Sequence, residues 1–295
     1  MGKPQIDDVD RDFAELINAM RNHDINAVKK VAKRRGYTDL HFAVMECNVG
    51  KIRRLLDKGA NSNAANEVGM APLHEATEYC PEAIPILIEH GADPHAKDEG
   101  DASPLHYAAM NGSLKAVEEL IKHGGVNARD NKGRTPLHLA LEFSHCDVAM
   151  RLIDAGAEVG VADRDGVTPL HLAARAGCVE AVKRMLELGA DPAARDRRNN
   201  TVLHYAVKSM NKHVVELLIR EEDVNMRNEY GETPLKLLLN ECAAWDIEEG
   251  RCYEIAKILI DHGADPRIKD SSGCSSLDSA KAIGYPKFVK LLSRK

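Results

Sequence analysis

Residues 133–140 read GRTPLHLA, and residues 166–173 read GVTPLHLA. Working outward from this pair, related strings end at His41 (TDLH), His74 (APLH), His106 (SPLH), His138 and His171 (TPLH) and His204 (TVLH). Two more end at Lys236 (TPLK) and Asp278 (SSLD). The steps are 33, 32, 32, 33, 33, 32 and 42 residues. A second string follows each of the first seven, as in LLDKGA, LIEHGA, LIKHGG and LIDAGA. A fixed period of this length marks supersecondary units that bury a core only by stacking on their neighbours.

Each unit reads as two short helices and a turn. Thr or Ser caps the first helix, and the Pro after it has its φ preset and needs no N–H partner. The Leu and small Ala residues that follow face the core. The second helix carries spaced aliphatics, such as Val117, Leu120 and Ile121. It ends near Gly91, Gly124 or Gly156, where a left-handed cap suits glycine. Polar stretches with Gly69, Gly133, Gly166 or Gly231 then turn into the next unit as a hairpin.

With these strings in hand, the chain resembles the ankyrin-repeat family over roughly residues 36–295. The resemblance implies an all-α solenoid, a curved α-α superhelix whose helix-turn-helix units are joined by β-hairpin loops. It implies a structural, hydrogen-bonding role for the repeated His41, His74, His106, His138, His171 and His204. Residues 1–35 read as a degenerate capping helix pair, with Phe13, Leu16, Ile17, Ile25 and Val28 covering the first full repeat. About eight repeats follow, the last a degenerate C-terminal cap. The seventh departs from the pattern through an insertion near 242–252, expected to lengthen the loop between its helices. That insertion holds Trp245, the only tryptophan, either folded back onto the stack or forming a binding finger.

Composition agrees with a stack of thin helical layers: 44% of residues are hydrophobic and 29% charged, but only 4% aromatic. The net charge of −6 does not call for a polyanionic partner. Basic stretches at 28–36 and 195–200 lack the interleaved aromatic residues of a base-stacking platform, so nucleic acid is not the expected partner. The seven cysteines form no CxxC pair and are odd in number, which predicts free, mostly buried thiols in a reducing compartment. No signal-like opening and no run of 18 apolar residues appears, so no membrane insertion is expected. An intracellular, cytoplasmic location follows, with nuclear residence or specialised secretion left open.

The sequence carries no constellation for catalysis. An H-E-x-x-H string, a GxxxxGK[ST] loop, a GxSxG elbow and zinc-ligand cysteine pairs are all absent. His74-Glu75 belongs to the repeat motif, and Asp246, Glu248 and Glu249 form a short acidic loop. The repeated histidines fall one per layer, about 10 Å apart, too far for a shared metal. No enzyme activity, metal or cofactor is expected.

Partners of this family dock on the concave side, made of hairpin tips and exposed first-helix positions. Carried onto this sequence, the resemblance selects Tyr37, Met45, Met70, Tyr79, Met110 and Phe143 as an apolar stripe over units one to four. Glu46, Glu67, Glu78, Glu99 and Glu142 border it. Arg134 lies in unit four, Tyr230 in unit seven, and units five and six turn basic through Arg164, Arg175, Arg197, Arg198 and Lys208. Aromatic and methionine residues make good interface anchors. The family's asparagine hydroxylation context is matched by Asn127 and Asn225, and weakly by Asn63. These residues suggest an adaptor or scaffold that holds another protein. A small-molecule or nucleotide sensor, with Arg134, Arg164, Arg175 and Arg197 meeting phosphates, is the alternative, as is an inhibitor or effector that masks its partner.

Overall fold

The computed structural model describes residue 15, residues 25–245 and residues 249–293. Phe13, Leu16, Ile17, Asp246 and Glu248 lie outside the described residues, as do residues 1–14 generally. The helix Ile25–Arg34 precedes the first motif unit. Eight helix pairs follow, from Asp39–Met45 and Val49–Asp57 in unit one to Ser276–Ile283 and Pro286–Leu292 in unit eight. First helices stack on first helices and second on second, so each layer touches only its neighbours.

The core is continuous through the stack. Leu40, Leu73, Leu105, Leu137, Leu170, Leu203 and Leu235 occupy the same motif position in seven units, and all are buried. Beside them, Ala43, Ala76, Ala108, Ala140, Ala173 and Ala206 are fully buried, small enough to let adjacent helices approach. The single residue types of the repeat are thus what the layer spacing requires.

The motif histidine explains why the pattern recurs. His138 Nδ1 accepts the Thr135 backbone N–H at 3.2 Å, and Nε2 donates to the Val167 carbonyl of the next unit at 3.2 Å. The first bond fixes the start of its own helix, and the second ties it to the following turn. His41, His106 and His204 repeat both bonds, to Met70, Arg134 and Glu232. Burial lowers the pKa of all six motif histidines, to about 4 for His138 and His204, so they stay neutral and the tautomer is fixed. The Thr135 hydroxyl lies 2.9 Å from the same Nδ1. At Thr38, Thr233 and Ser275 the hydroxyl also accepts the N–H three residues on, as expected of a cap, whereas the Ser103, Thr135, Thr168 and Thr201 hydroxyls lie against the histidine Nδ1 instead. In unit seven Lys236 replaces the imidazole and reaches Asp270 of the next turn at 3.2 Å. Burial raises the Asp270 pKa, but hydrogen bonds from Ser272, the Cys274 N–H and Lys236 outweigh it and bring it down to about 2.

Three sequence expectations need correction. First, no β-strand or β-hairpin ladder occurs among the described residues; there are only two isolated antiparallel bridges, Arg195 with Thr201 and Lys269 with Ser275. The connections are turns held by a side chain. Asp98 Oδ1 accepts the N–H groups of Gly100 and Ala102, and Asp130, Asp163 and Asp196 repeat this. A carboxylate that satisfies both N–H groups leaves too few backbone partners for a ladder. Successive turns are joined by one backbone bond each, such as Glu99 to Val68, Arg164 to Lys132 and Arg197 to Asp165. Gly69 shows how tight this stacking is: its φ is +80°, and a Cβ there would lie 2.9 Å from the Asp98 Cα.

Second, six cysteines are paired, as Cys47–Cys80, Cys146–Cys178 and Cys242–Cys252, leaving Cys274 free and exposed. The first two pairs are separated by 33 and 32 residues, one repeat period, which stacking brings into contact. Cysteine usage therefore gives no argument for a reducing compartment. Third, the unit-seven insertion extends the helices rather than only the loop: they run Pro234–Ala244 and Glu249–Asp261, and Cys242–Cys252 clamps them together. No described helix is long and apolar enough to cross a membrane.

Candidate binding face

Turn tips and first helices share one face. A cleft of about 300 Å³ is lined by Gly100, Asn131 and Lys132 from the tips together with Tyr107, Met110 and Leu139 from first helices. A second, of about 320 Å³, lies between units five and six and is lined by Arg175, Arg197, Arg198, Lys208 and Tyr205, with Asp165 and Asp196.

The stripe residues divide by exposure. Tyr79 is 43% exposed and Phe143 50%, and Met45 and Tyr230 are also exposed. Tyr37, Met70 and Met110 are half-buried, and Met110 packs against the core. The charged residues divide by pairing. Arg134 is held by Asp130 at 2.8 Å and Glu142 at 3.0 Å, and Arg35 by Glu67 at 2.8 Å. Arg198 pairs with Glu229, and Lys208 with Glu241, both at 3.4 Å. Arg164, Arg175 and Arg197 are exposed and make no ion pair among the described residues.

Tyr107 and Tyr205 were not selected from the sequence. Each follows a motif histidine and donates its hydroxyl to a turn aspartate, Asp98 at 2.7 Å and Asp196 at 3.0 Å. Each also packs edge-on against the histidine of the preceding unit, His74 and His171. Burial and the neighbouring carboxylate push both phenols well above their ordinary value. Glu75 was set aside as part of the motif. In the structure it is only 6% exposed, at the position that Phe42, Leu139, Leu172 and Leu237 occupy in other units. Lining up the units would have flagged it, since a carboxylate there breaks a column that is otherwise apolar or aromatic in units one to seven.

Asn127 and Asn225 serve as links between units. Each donates its side-chain amide to a carbonyl of the next unit, Gly156 and Gly263, and accepts an N–H from that unit, Glu158 and Asp265. Asn63 does the same with Gly91 and Asp93. Trp245 is 74% exposed, and its indole N–H donates to Glu241 at 3.1 Å, so it does not fold back onto the stack. Among the described residues, Cys47, Cys80 and Glu82 are the one grouping with metal-ligand spacing, and two of its three sulfur and oxygen donors are spent in a disulfide.

The family described as ankyrin repeats (3 copies) matches residues 9–98, 81–163, 105–196, 145–228 and 170–270, and the chain belongs to the ankyrin-repeat family. Its repeats form a non-catalytic protein-interaction scaffold. Among similar proteins, rabankyrin-5 of Mus musculus is 30% identical over 147 residues, covering 48% of this chain and 13% of that protein. Neurogenic locus notch homolog protein 1 of Danio rerio is 31% identical over 147 residues, covering 49% of this chain and 6% of that protein. The chain thus spans only a small part of the length of the curated relatives it matches.

Proposed function

We propose that this array is an adaptor whose tip-and-first-helix face holds an extended segment of another protein. The observation that carries this reading is the solvent exposure of Tyr79 and Phe143 on that face, in a chain with few aromatic residues. Large aromatic side chains kept out of the core are the usual anchors of protein interfaces. Met45 and Tyr37 extend the apolar stripe, and Arg164, Arg175 and Arg197 supply free cations at its far end. An acidic end of the partner segment would lie over units five and six. Masking of a partner by the same face is a variant of this reading.

The cleft between units five and six is at the lower end of the range of about 300–1,000 Å³ that small-molecule sites occupy. The test is a pull-down from native extract, comparing wild type with Tyr79→Ala/Phe143→Ala. Capture of a protein by wild type alone supports the reading. Equal capture by both moves the interface to the Trp245 region, and retention of no protein at all rejects an adaptor role.

A further inference from the structure

Glu75 is the most anomalous side chain on the face. It sits in the first helix of unit two, in a column whose other members in units one to seven are Phe42, Tyr107, Leu139, Leu172, Tyr205 and Leu237. It is buried to the same extent as its apolar counterparts. No hydrogen bond or ion pair among the described residues engages its carboxylate. Buried carboxylates are ordinarily paired, because taking a lone charge out of water is strongly unfavourable. Leucine at this position would therefore serve the fold better than glutamate does.

Its surroundings are aromatic and lack a cation. Tyr107 occupies the next place in the column, with its ring edge-on to His74, the neighbour of Glu75 in sequence, at 5.5 Å. Tyr79 lies four residues along the same helix, one turn away on the same side, and is exposed. On the other side, Tyr37 packs against Phe42, the preceding member of the column, at 6.2 Å between ring centroids. On the rim of units one and two, the Arg35 guanidinium is already bound by Glu67 at 2.8 Å.

We propose that Glu75, flanked by Tyr37, Tyr79 and Tyr107, receives the guanidinium of an arginine side chain from the partner segment. A carboxylate offers the fork that a guanidinium meets with two parallel N–H bonds, and tyrosine faces stack on its plane. Arginine suits the site better than lysine: its charge is delocalised, more weakly hydrated and retained on burial. Burial holds the free Glu75 carboxyl above its ordinary pKa, with Glu78 acting in the same direction and no cation opposing them. The bound arginine supplies the missing charge. This rests on the adaptor reading and adds a polarity to it, with an arginine of the partner over units one to three.

The test uses the full chain with carboxyl-¹³C glutamate and follows Glu75 by NMR while N-acetyl-arginine-N-methylamide is added. The Glu75 titration midpoint should fall toward the ordinary carboxylate range. The lysine counterpart should bind several-fold more weakly, and sodium chloride at equal ionic strength should leave the midpoint in place. Glu75→Gln should weaken arginine binding at least tenfold without unfolding the chain. Tyr79→Ala, at an exposed position, should weaken it several-fold and leave the melting temperature unchanged. Glu75→Leu should raise the melting temperature while removing the site. Arginine binding that survives Glu75→Gln, or a lysine probe that binds as well as arginine, overturns the proposal. Failure here beside a successful pull-down discards only this inference, whereas failure of the pull-down discards the adaptor reading itself.

Discussion

Units three and six carry the same local device in opposite electrical settings. Tyr107 and Tyr205 each bond a turn aspartate and lean on the preceding histidine. Ahead of Tyr107, unit two presents Glu75 and Glu78, and Glu75 pushes the phenol further up. Ahead of Tyr205, unit five presents Arg175 at the motif position of Glu78, and it pulls the phenol down against the other influences. The joints also differ in tightness: His171 Nε2 makes no hydrogen bond of its own, whereas His74 Nε2 reaches the Ala102 carbonyl at 3.3 Å. One scaffold therefore presents an acidic, aromatic end and a basic end on a single face, and side chains outside the repeat motif set the difference.

If the two ends differ only in surface chemistry, the core beneath them should respond alike. Leu137→Ala and Leu170→Ala, both fully buried, should each cost about 2–5 kcal/mol in thermal unfolding. A loss confined to one of them would mean that the halves differ in packing as well.

Cys146–Cys178 joins units four and five, the seam between the two ends. Cys146→Ser/Cys178→Ser should remove roughly 2–4 kcal/mol, since the cross-link constrains the unfolded chain. Thiol titration of the unreduced, denatured chain should find one reactive cysteine, Cys274. Seven reactive thiols would rule out the three cross-links.

Acidification should weaken both ends together. His138 and His204 have folded-state pKa values of about 4, below the ordinary 6.5, so the unfolded chain binds protons first. Stability is complete above about pH 6.5 and falls by up to about 1.4 kcal/mol per pH unit for each histidine between pH 6.5 and 4. A denaturation midpoint that is flat across this window would show that the imidazoles are not buried in neutral form.

The smallest effect on stability should come from the face itself. Phe143→Ala and Arg175→Glu should each change stability by no more than about 0.5 kcal/mol. In the pull-down, Phe143→Ala should reduce the amount of partner retained, and Arg175→Glu should alter its salt dependence. A collapsed fold in Phe143→Ala would place that ring in the core.

The period of the TPLH-like strings, by itself, determined the stacked helix pairs and the buried Leu and Ala columns, because each layer needs the same small and aliphatic residues to pack. The family resemblance, carried onto this sequence, selected Tyr79 and Phe143, which are exposed, along with Tyr37, Met70 and Met110, which are half-buried. Tertiary structure alone decided the rest. Turn aspartates use up the N–H groups that a hairpin ladder would need, so the connections carry no strands. Cysteines one period apart meet only because the units stack. Glu75 breaks an apolar and aromatic column that lining up units one to seven shows in the sequence, but only the stack decides that it is buried and left without an ion pair, for burial belongs to the neighbours a residue acquires and not to its own place in the chain.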